Sequence, residues 1–268
     1  MQKIVFNAHY MMYFDTAISD YWRSLAFPYE EGMHQLGGDL YVRKASVEYH
    51  GSARFDDRLD VALKCVRIGN SSIVFSGAIF RVGELLITGE LVYVFADPIS
   101  QTSRPVPNVL RQLLTDFESR RPVTRIETGT WTQLGADAGK IRLEVFVDEQ
   151  HVPVEMEWDE ADANAVHAVA YNALDQAVAT GRLLKDASGT SRIGRMAVKR
   201  VLRGAQLGRD ILHALMKVSH ERGDAGLMLH AQLTARDFYQ REGFSVCGEP
   251  FDEAGIPHVE MTRPFAPA

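Results

Sequence analysis

Between Leu40 and Phe95 four segments rich in Val, Ile, Phe and Tyr follow one another: "LYVRKASVEYHG", "DVALKCVRI", "SSIVFSGAIFRV" and "LLITGELVYVFA". Turn-like breaks at Gly51, Gly69-Asn70 and Gly83-Glu84 separate them, so the run reads as successive antiparallel strands. Just upstream, from His9 to Phe27, the apolar residues Met12, Ala17, Ile18, Trp22 and Leu25 recur at the spacing of one buried helix face. Pro28 and the later Gly37-Gly38 end that helix. One helix followed by a run of strands is an α+β pattern and not an alternating βαβ one.

The chain has 268 residues, more than one compact domain usually holds. Between Asp97 and Thr130 the texture turns rich in Pro, Ser and Arg around a short helical stretch, Asn108 to Phe117. A boundary near Arg120 to Pro122 gives domains 1–121 and 122–268. Beyond it helices and strands alternate. A helical "GKIRLEVFVDEQ" is followed by strands "HAVAYNA", "AVATGRLLK" and "SRIGRMAVK", a helix from Gln206 to Arg222, a strand "GLMLHAQ", a helix "ARDFYQREG" and closing strands. No internal repeat joins the halves.

A net charge of -6 gives no global pull toward nucleic acid or anionic lipid, so an anionic ligand would have to be held by local groups. The two cysteines, Cys65 and Cys247, are far apart and read as small buried hydrophobes in a reducing compartment. No stretch reaches the roughly 18 apolar residues of a membrane helix, and no signal peptide opens the chain, so a cytoplasmic protein is expected. The nine histidines form no HExxH or paired-cysteine pattern, so no metal is expected. "GNSS" and "GAQLG" lack the lysine and hydroxyl of a Walker-type loop.

The stretch "RIGRMAVKRVLRGAQLGRDILHALM" carries the most chemistry. A strand ending at Val198 enters a basic, glycine-containing turn, which opens a helix with Leu207, Ile211, Leu212, Leu215 and Met216 on one face. The first amides of such a helix have no internal partner and, with the helix dipole, suit a phosphate or pyrophosphate. Gly204 and Gly208 let the backbone come close, and Arg203 and Arg209 add positive charge. A basic loop that merely caps an amphipathic helix has the same sequence.

This loop resembles the acyl-CoA pyrophosphate loop of the GNAT N-acetyltransferase superfamily, with Arg203 and Gly208 matching and Gln206 standing where the first glycine is usual. "LHAQLTARDFYQREGF", "FDEAGIPHVEM" and "VFVDEQHVP" resemble further segments of its ElaA-like branch, in order, over about Thr124 to Pro264. The resemblance implies acyl transfer from acyl-CoA to an amine. The pantetheine arm would pair with Met196, Ala197 and Val198 in a cleft between splayed strands, and the pyrophosphate would sit on the amides of Gln206, Leu207, Gly208 and Arg209. Tyr239 stands at the position of the family's proton donor, or else packs as a core aromatic. For the base, His230 on the cleft strand is one candidate, Glu155 or Glu157 acting through water another, and water alone a third. The acidic run "VEMEWDEADANAVH" reads either as an attractant for a cationic amine or as a solvated loop.

In the first half, "IVFNAHYMMYFDTAISDYW", "YHGSARFDDRLDVALKCVRIGNSS" and "LLITGELVYVFAD" resemble hotdog acyl-CoA thioesterases of the 4-hydroxybenzoyl-CoA thioesterase and YbgC type, over about Met1 to Phe117. The fold class that follows is α+β: a hotdog domain, an antiparallel sheet around a central helix, followed by a mixed α/β GNAT domain. In the thioesterases, amides at the start of the central helix face the thioester carbonyl, and an aspartate just after a first strand attacks it or acts as base. Here that strand and aspartate would fall immediately before Met1. Either the gene product begins upstream, or the domain has lost them and serves as a CoA-binding or dimerising element. Asn7, His9 and Tyr10 remain as polar groups at the helix entrance, with Asp15 further along, and each also suits a capping or core-rim role. Arg54 and Arg58 either reach CoA phosphates or pair with Asp56, Asp57 and Asp60. A homodimer is implied by this resemblance.

The expected function is therefore acyl-CoA-dependent N-acyl transfer by the second domain, fused to a thioesterase-like domain. Hydrolysis of acyl-CoA by the first domain is the alternative, and a non-catalytic first domain the third reading. The expected partners are acyl-CoA as substrate and an amine acceptor, with no nucleic acid and no membrane.

Overall fold

The computed structural model describes residues 3–186 and 189–265. The chain divides into two compact units, Met1–Val123 and Thr124–Ala268. Met1 and Gln2, where the thioesterase resemblance begins, lie outside the described residues.

In the first unit α1 (Asn7–Ser24), α2 (Tyr29–Leu36) and α3 (Asn108–Glu118) accompany β1 (Asp39–Tyr49), β2 (Asp60–Ile68), β3 (Ser72–Arg81) and β4 (Glu84–Ala96). The strands form a four-stranded sheet in the order β1-β4-β3-β2, with every pair antiparallel. The buried stripe of α1 is Tyr10, Phe14, Ile18, Tyr21 and Trp22, spaced by three and four residues. Each of these large side chains contributes roughly 1.5–3 kcal/mol when buried. Met12, assigned to that face by spacing, is instead exposed.

Helix and sheet approach closely because Gly77 and Gly89, paired across β3 and β4, leave a flat patch under the Phe14 ring. A Cβ at Gly77 would fall 2.4 Å from Phe14, and one at Gly89 2.6 Å from it. This is the helix-on-antiparallel-sheet arrangement of the hotdog fold.

Two elements depart from the sequence reading. Pro28 ends α1 but also caps α2, with Glu30 and Glu31 in the first turn and Gly37 closing it at φ 66°. Proline before a helix and glycine after it fit those two ends, because neither position needs an intrahelical N–H or a negative φ. The stretch "VTRIETGT", taken as linker, contains β5 (Thr124–Gly129), an edge strand paired with β6 (Val166–Asn172).

The second unit continues with α4 (Trp131–Arg142), a π-helical segment Leu143–Glu149, α5 (Val154–Glu157), β7 (Ala177–Lys185), β8 (Thr190–Val198), α6 (Leu207–Glu221), β9 (Gly226–Gln232), α7 (Arg236–Arg241), β10 (Ser245–Glu253) and β11 (Ile256–Pro264). Its seven strands run β10-β11-β9-β8-β7-β6-β5, with only β8 and β9 parallel. One face carries α4, with Leu134 and Ala138 packed on Val169 and Tyr171. The other carries α6, whose Ile211 and Leu215 close over Gly181. The cysteines are unpaired; Cys65 is buried as expected, but Cys247 is exposed, because residues 245–250 of β10 lie on the open edge of the sheet.

Candidate functional site

β8 and β9 pair only from Thr190–Gly226 to Ile193–Leu229. Both strands continue beyond that point, to Val198 and Gln232, without pairing to each other. The divergence coincides with a bulge: Thr180 and Arg182 of β7 face Ala197 and Gly194, and Arg195 takes φ 51°. A bulge adds a residue to one strand and bends it away from its neighbour. Met196, Ala197 and Val198 thus lie along one arm of a split, with β7 on their far side. On the split side the backbone of this arm has no β9 partner and can meet an extended ligand.

Past Val198 the chain turns through Gly204, at φ 93°, and Gln206, at φ 63°, into α6. Gln206 provides no side-chain cap, and the amide of Asp210 is the first to find a carbonyl behind it, that of Gln206. The amides of Leu207, Gly208 and Arg209 therefore open α6 uncapped. A Cβ at Gly208 would lie 3.5 Å from Val198 and 4.0 Å from Phe238, so strand end, loop and α7 converge at this glycine.

The two loop arginines are already engaged. Arg203 makes a two-pronged pair with Glu149, both hydrogen bonds 2.7 Å, and its Nε donates to the Val198 carbonyl at 3.3 Å. Arg209 pairs with Glu242 at 3.2 Å. The π-helical segment bridges the split: Glu144 reaches Lys199 at 3.1 Å, Glu149 reaches Arg203, and Gln150 just after it accepts from Gln232 of β9 at 3.0 Å. Such segments are uncommon and often mark functional sites. Periodicity alone gave a helix here and did not reveal its π geometry.

Tyr239 sits on α7 between Phe238 and Phe244, at ring separations of 4.9 and 5.9 Å. Burial pushes its phenol up to about 12, which keeps it protonated at neutral pH. His230 lies on β9 one residue beyond the last β8 partner, with Nδ1 facing both Arg192 and Glu253.

The acidic run is neither a solvated loop nor an open attractant throughout. Glu155 and Glu160 are exposed, but Glu157 and Asp162 are buried against arginines. Arg142, 1% exposed, donates to Glu157 and, at 2.9 and 3.0 Å, to Asp162; its guanidinium carbon lies 5.2 Å from the Trp131 ring and 5.0 Å from the Trp158 ring. Arg182 joins Asp162 at 2.8 Å and Asp159 at 2.6 Å, and Arg195 lies 3.3 Å from Glu157. Burial opposes the charged form of Asp162, yet hydrogen bonds from Arg142 and Arg182 hold its carboxyl below the usual range. Glu157 is held in this network, and burial raises its carboxyl above the usual range.

In the first unit Tyr10 is buried and its hydroxyl accepts from the Ala53 amide at 2.9 Å. Asn7 and His9 are exposed at the start of α1, which has no side-chain cap, and Asp15 is exposed further along. Asp57 accepts from the Arg54 amide and pairs with Arg81 at 3.0 Å, so Arg81 rather than the side chain of Arg54 or Arg58 is its ion-pair partner. Among the described residues no group of three His, Cys, Asp or Glu is arranged to hold a metal, and no helix is long and apolar enough to cross a membrane.

A family model described as an acetyltransferase (GNAT) domain matches residues 130–264, half of the chain. The chain belongs to the GNAT acetyltransferase family. The GNAT half is 40% identical over 129 residues to an uncharacterized N-acetyltransferase, YjcF, of Bacillus subtilis, covering 47% of this chain and 90% of that protein. It is 32% identical to ElaA of Escherichia coli, over 46% of this chain and 83% of that protein. A crystal structure described as a putative N-acetyltransferase from Lactobacillus plantarum superposes with a TM-score of 0.50 at 31% identity, covering 53% of this chain and 99% of that one. A thioesterase superfamily model matches residues 2–88, so a thioesterase-type domain precedes the GNAT domain.

Proposed function

We propose that the second unit transfers an acyl group from acyl-CoA to an amine. The observation that carries this reading is the split between β8 and β9, which continues directly into the uncapped amides of Leu207 to Arg209. The backbone of Met196 to Val198 would pair with the pantetheine arm, and the α6 amides would hold the pyrophosphate. The amine nitrogen attacks the thioester carbonyl; a C–N bond forms, the C–S bond breaks and its electron pair leaves on sulfur. The amine proton passes to His230, and Tyr239 protonates the departing thiolate.

A second reading, supported by the thioesterase match, is hydrolysis of acyl-CoA by the first unit, with the α1 amides facing the thioester carbonyl. Dimerisation through this unit and a cytoplasmic location belong to the same proposal. The test is release of free CoA thiol from short, long and aromatic acyl-CoAs, with and without an amine panel. Thiol that appears only with amine supports transfer. Steady release without amine makes hydrolysis the leading activity.

A further inference from the structure

We propose that Glu253 is a positioning residue that holds His230 in the tautomer able to take a proton at Nε2. The inference rests on the acyl-transfer reading above and specifies how its base is set. His230 Nδ1 lies 2.9 Å from Arg192 Nη2 and 3.0 Å from Glu253 Oε2. A neutral ring nitrogen carries either a proton or a lone pair, so Nδ1 cannot donate to the carboxylate and accept from the guanidinium at once. With the proton on Nδ1, the ring donates to Glu253 and Nε2 keeps its lone pair, ready to accept the amine proton. With Nδ1 bare, it accepts from Arg192, and Nε2 carries a hydrogen and cannot act as base. The contest between Glu253 and Arg192 therefore selects the chemistry.

Two observations favour the carboxylate. Arg192 also lies 4.0 Å from Glu253, so its guanidinium has only to turn toward the carboxylate to keep an ion-pair partner when Nδ1 carries the proton. A carboxylate facing a bare ring nitrogen has lone pair against lone pair and nothing to accept. The Phe251 ring meets the imidazole edge-on at 4.8 Å and fixes its plane.

β11 brings two further titratable groups toward β9. Glu260 is its register partner there, and His258, two residues away, directs Nδ1 to the Ile256 carbonyl at 2.7 Å and stacks on Phe251. From the π-helical side the neutral Gln150 reaches β9, accepting from Gln232. The sequence shows none of this, because β10 reaches β9 only by way of β11 in the sheet order.

The experiment combines kcat and KM for acyl-CoA with 15N NMR of the His230 imidazole, on the full chain, for the wild type, Glu253→Gln, Glu253→Asp and Arg192→Met. In the wild type the neutral ring is expected to show the proton on Nδ1. Glu253→Gln is expected to lower kcat about tenfold at unchanged KM for acyl-CoA, with Glu253→Asp restoring most of it. Glu253→Gln is expected to shift the neutral ring toward the Nε2-protonated form, whereas Arg192→Met is expected to leave the proton on Nδ1. A purely structural role for Glu253 does not move the ring proton. A wild-type ring protonated on Nε2, or a proton that stays on Nδ1 with undiminished kcat in Glu253→Gln, overturns the proposal. Absence of amine-dependent thiol release by the wild type with every amine defeats the acyl-transfer reading instead, and the NMR spectrum still decides whether Glu253 sets the tautomer.

Discussion

Arg203 and Glu149 are joined by two parallel hydrogen bonds of 2.7 Å each, so the arginine expected to meet CoA phosphates is held by a carboxylate of the π-helical segment. A phosphate and a carboxylate compete for the same planar fork. Glu149→Gln removes the competitor and is expected to lower KM for acyl-CoA about two- to fivefold, the scale of a half-exposed ion pair. Arg203→Ala is expected to raise KM about tenfold. Both effects shrink at high salt. An unchanged KM in both variants would place Arg203 outside the phosphate site.

Arg142→Met tests the buried network. The substitution takes away one of the two arginines paired with each of Glu157 and Asp162, leaving Arg195 and Arg182, so the loss is expected at the low end of the about 3–5 kcal/mol typical of a buried pair broken from one side. Urea midpoints for the GNAT unit are expected to fall accordingly. Arg142→Met combined with Asp162→Asn is expected to cost less than the sum of the two, because one stranded charge is gone. Additive losses would show that the groups act independently.

Asp224 gives a pH signature. Burial works against its charge, but hydrogen bonds from Arg222, Ser191 and Ser219 pull its carboxyl down to about 2 from 3.8. A depressed carboxyl contributes stability above its unfolded value and loses it as pH falls toward the folded one. The contribution, about 2 kcal/mol, is therefore present above about pH 4 and fades toward pH 2. Asp224→Asn is expected to be less stable at neutral pH by that amount and to show a shallower loss in acid, as read from urea midpoints between these limits.

How much of this was legible depends on whether a residue's partner is local. The strands β2, β7 and β9 were readable because apolar runs end at Gly-containing or polar breaks, and α1 because its stripe recurs at helical spacing. α2 was hidden by reading Pro28 only as a terminator. β5 was hidden because its flanking Pro and Arg residues look like linker while its pairing partner, β6, lies some forty residues on. The split and its loop could be placed from a resemblance, since both are contiguous in sequence. Glu149 on Arg203, Glu253 on His230 and Arg182 on Asp162 were not legible, because sheet order and the bulge at Arg195 bring them together across long separations.

Tyr239→Phe separates the two roles of this residue. The phenylalanine ring keeps the packing against Phe238 and Phe244, so stability is expected to change by less than about 1 kcal/mol. The hydroxyl, pushed up to about 12 by burial, stays protonated at working pH, as the proposed proton donor must. Its loss is expected to lower kcat by about 10- to 100-fold with KM for acyl-CoA unchanged, because the proton is delivered only as the C–S bond breaks. The deficit should shrink with acyl donors whose thiol is more acidic, since a better leaving group needs less help. A variant with wild-type kcat would reduce Tyr239 to a core aromatic and leave protonation of the thiolate to solvent.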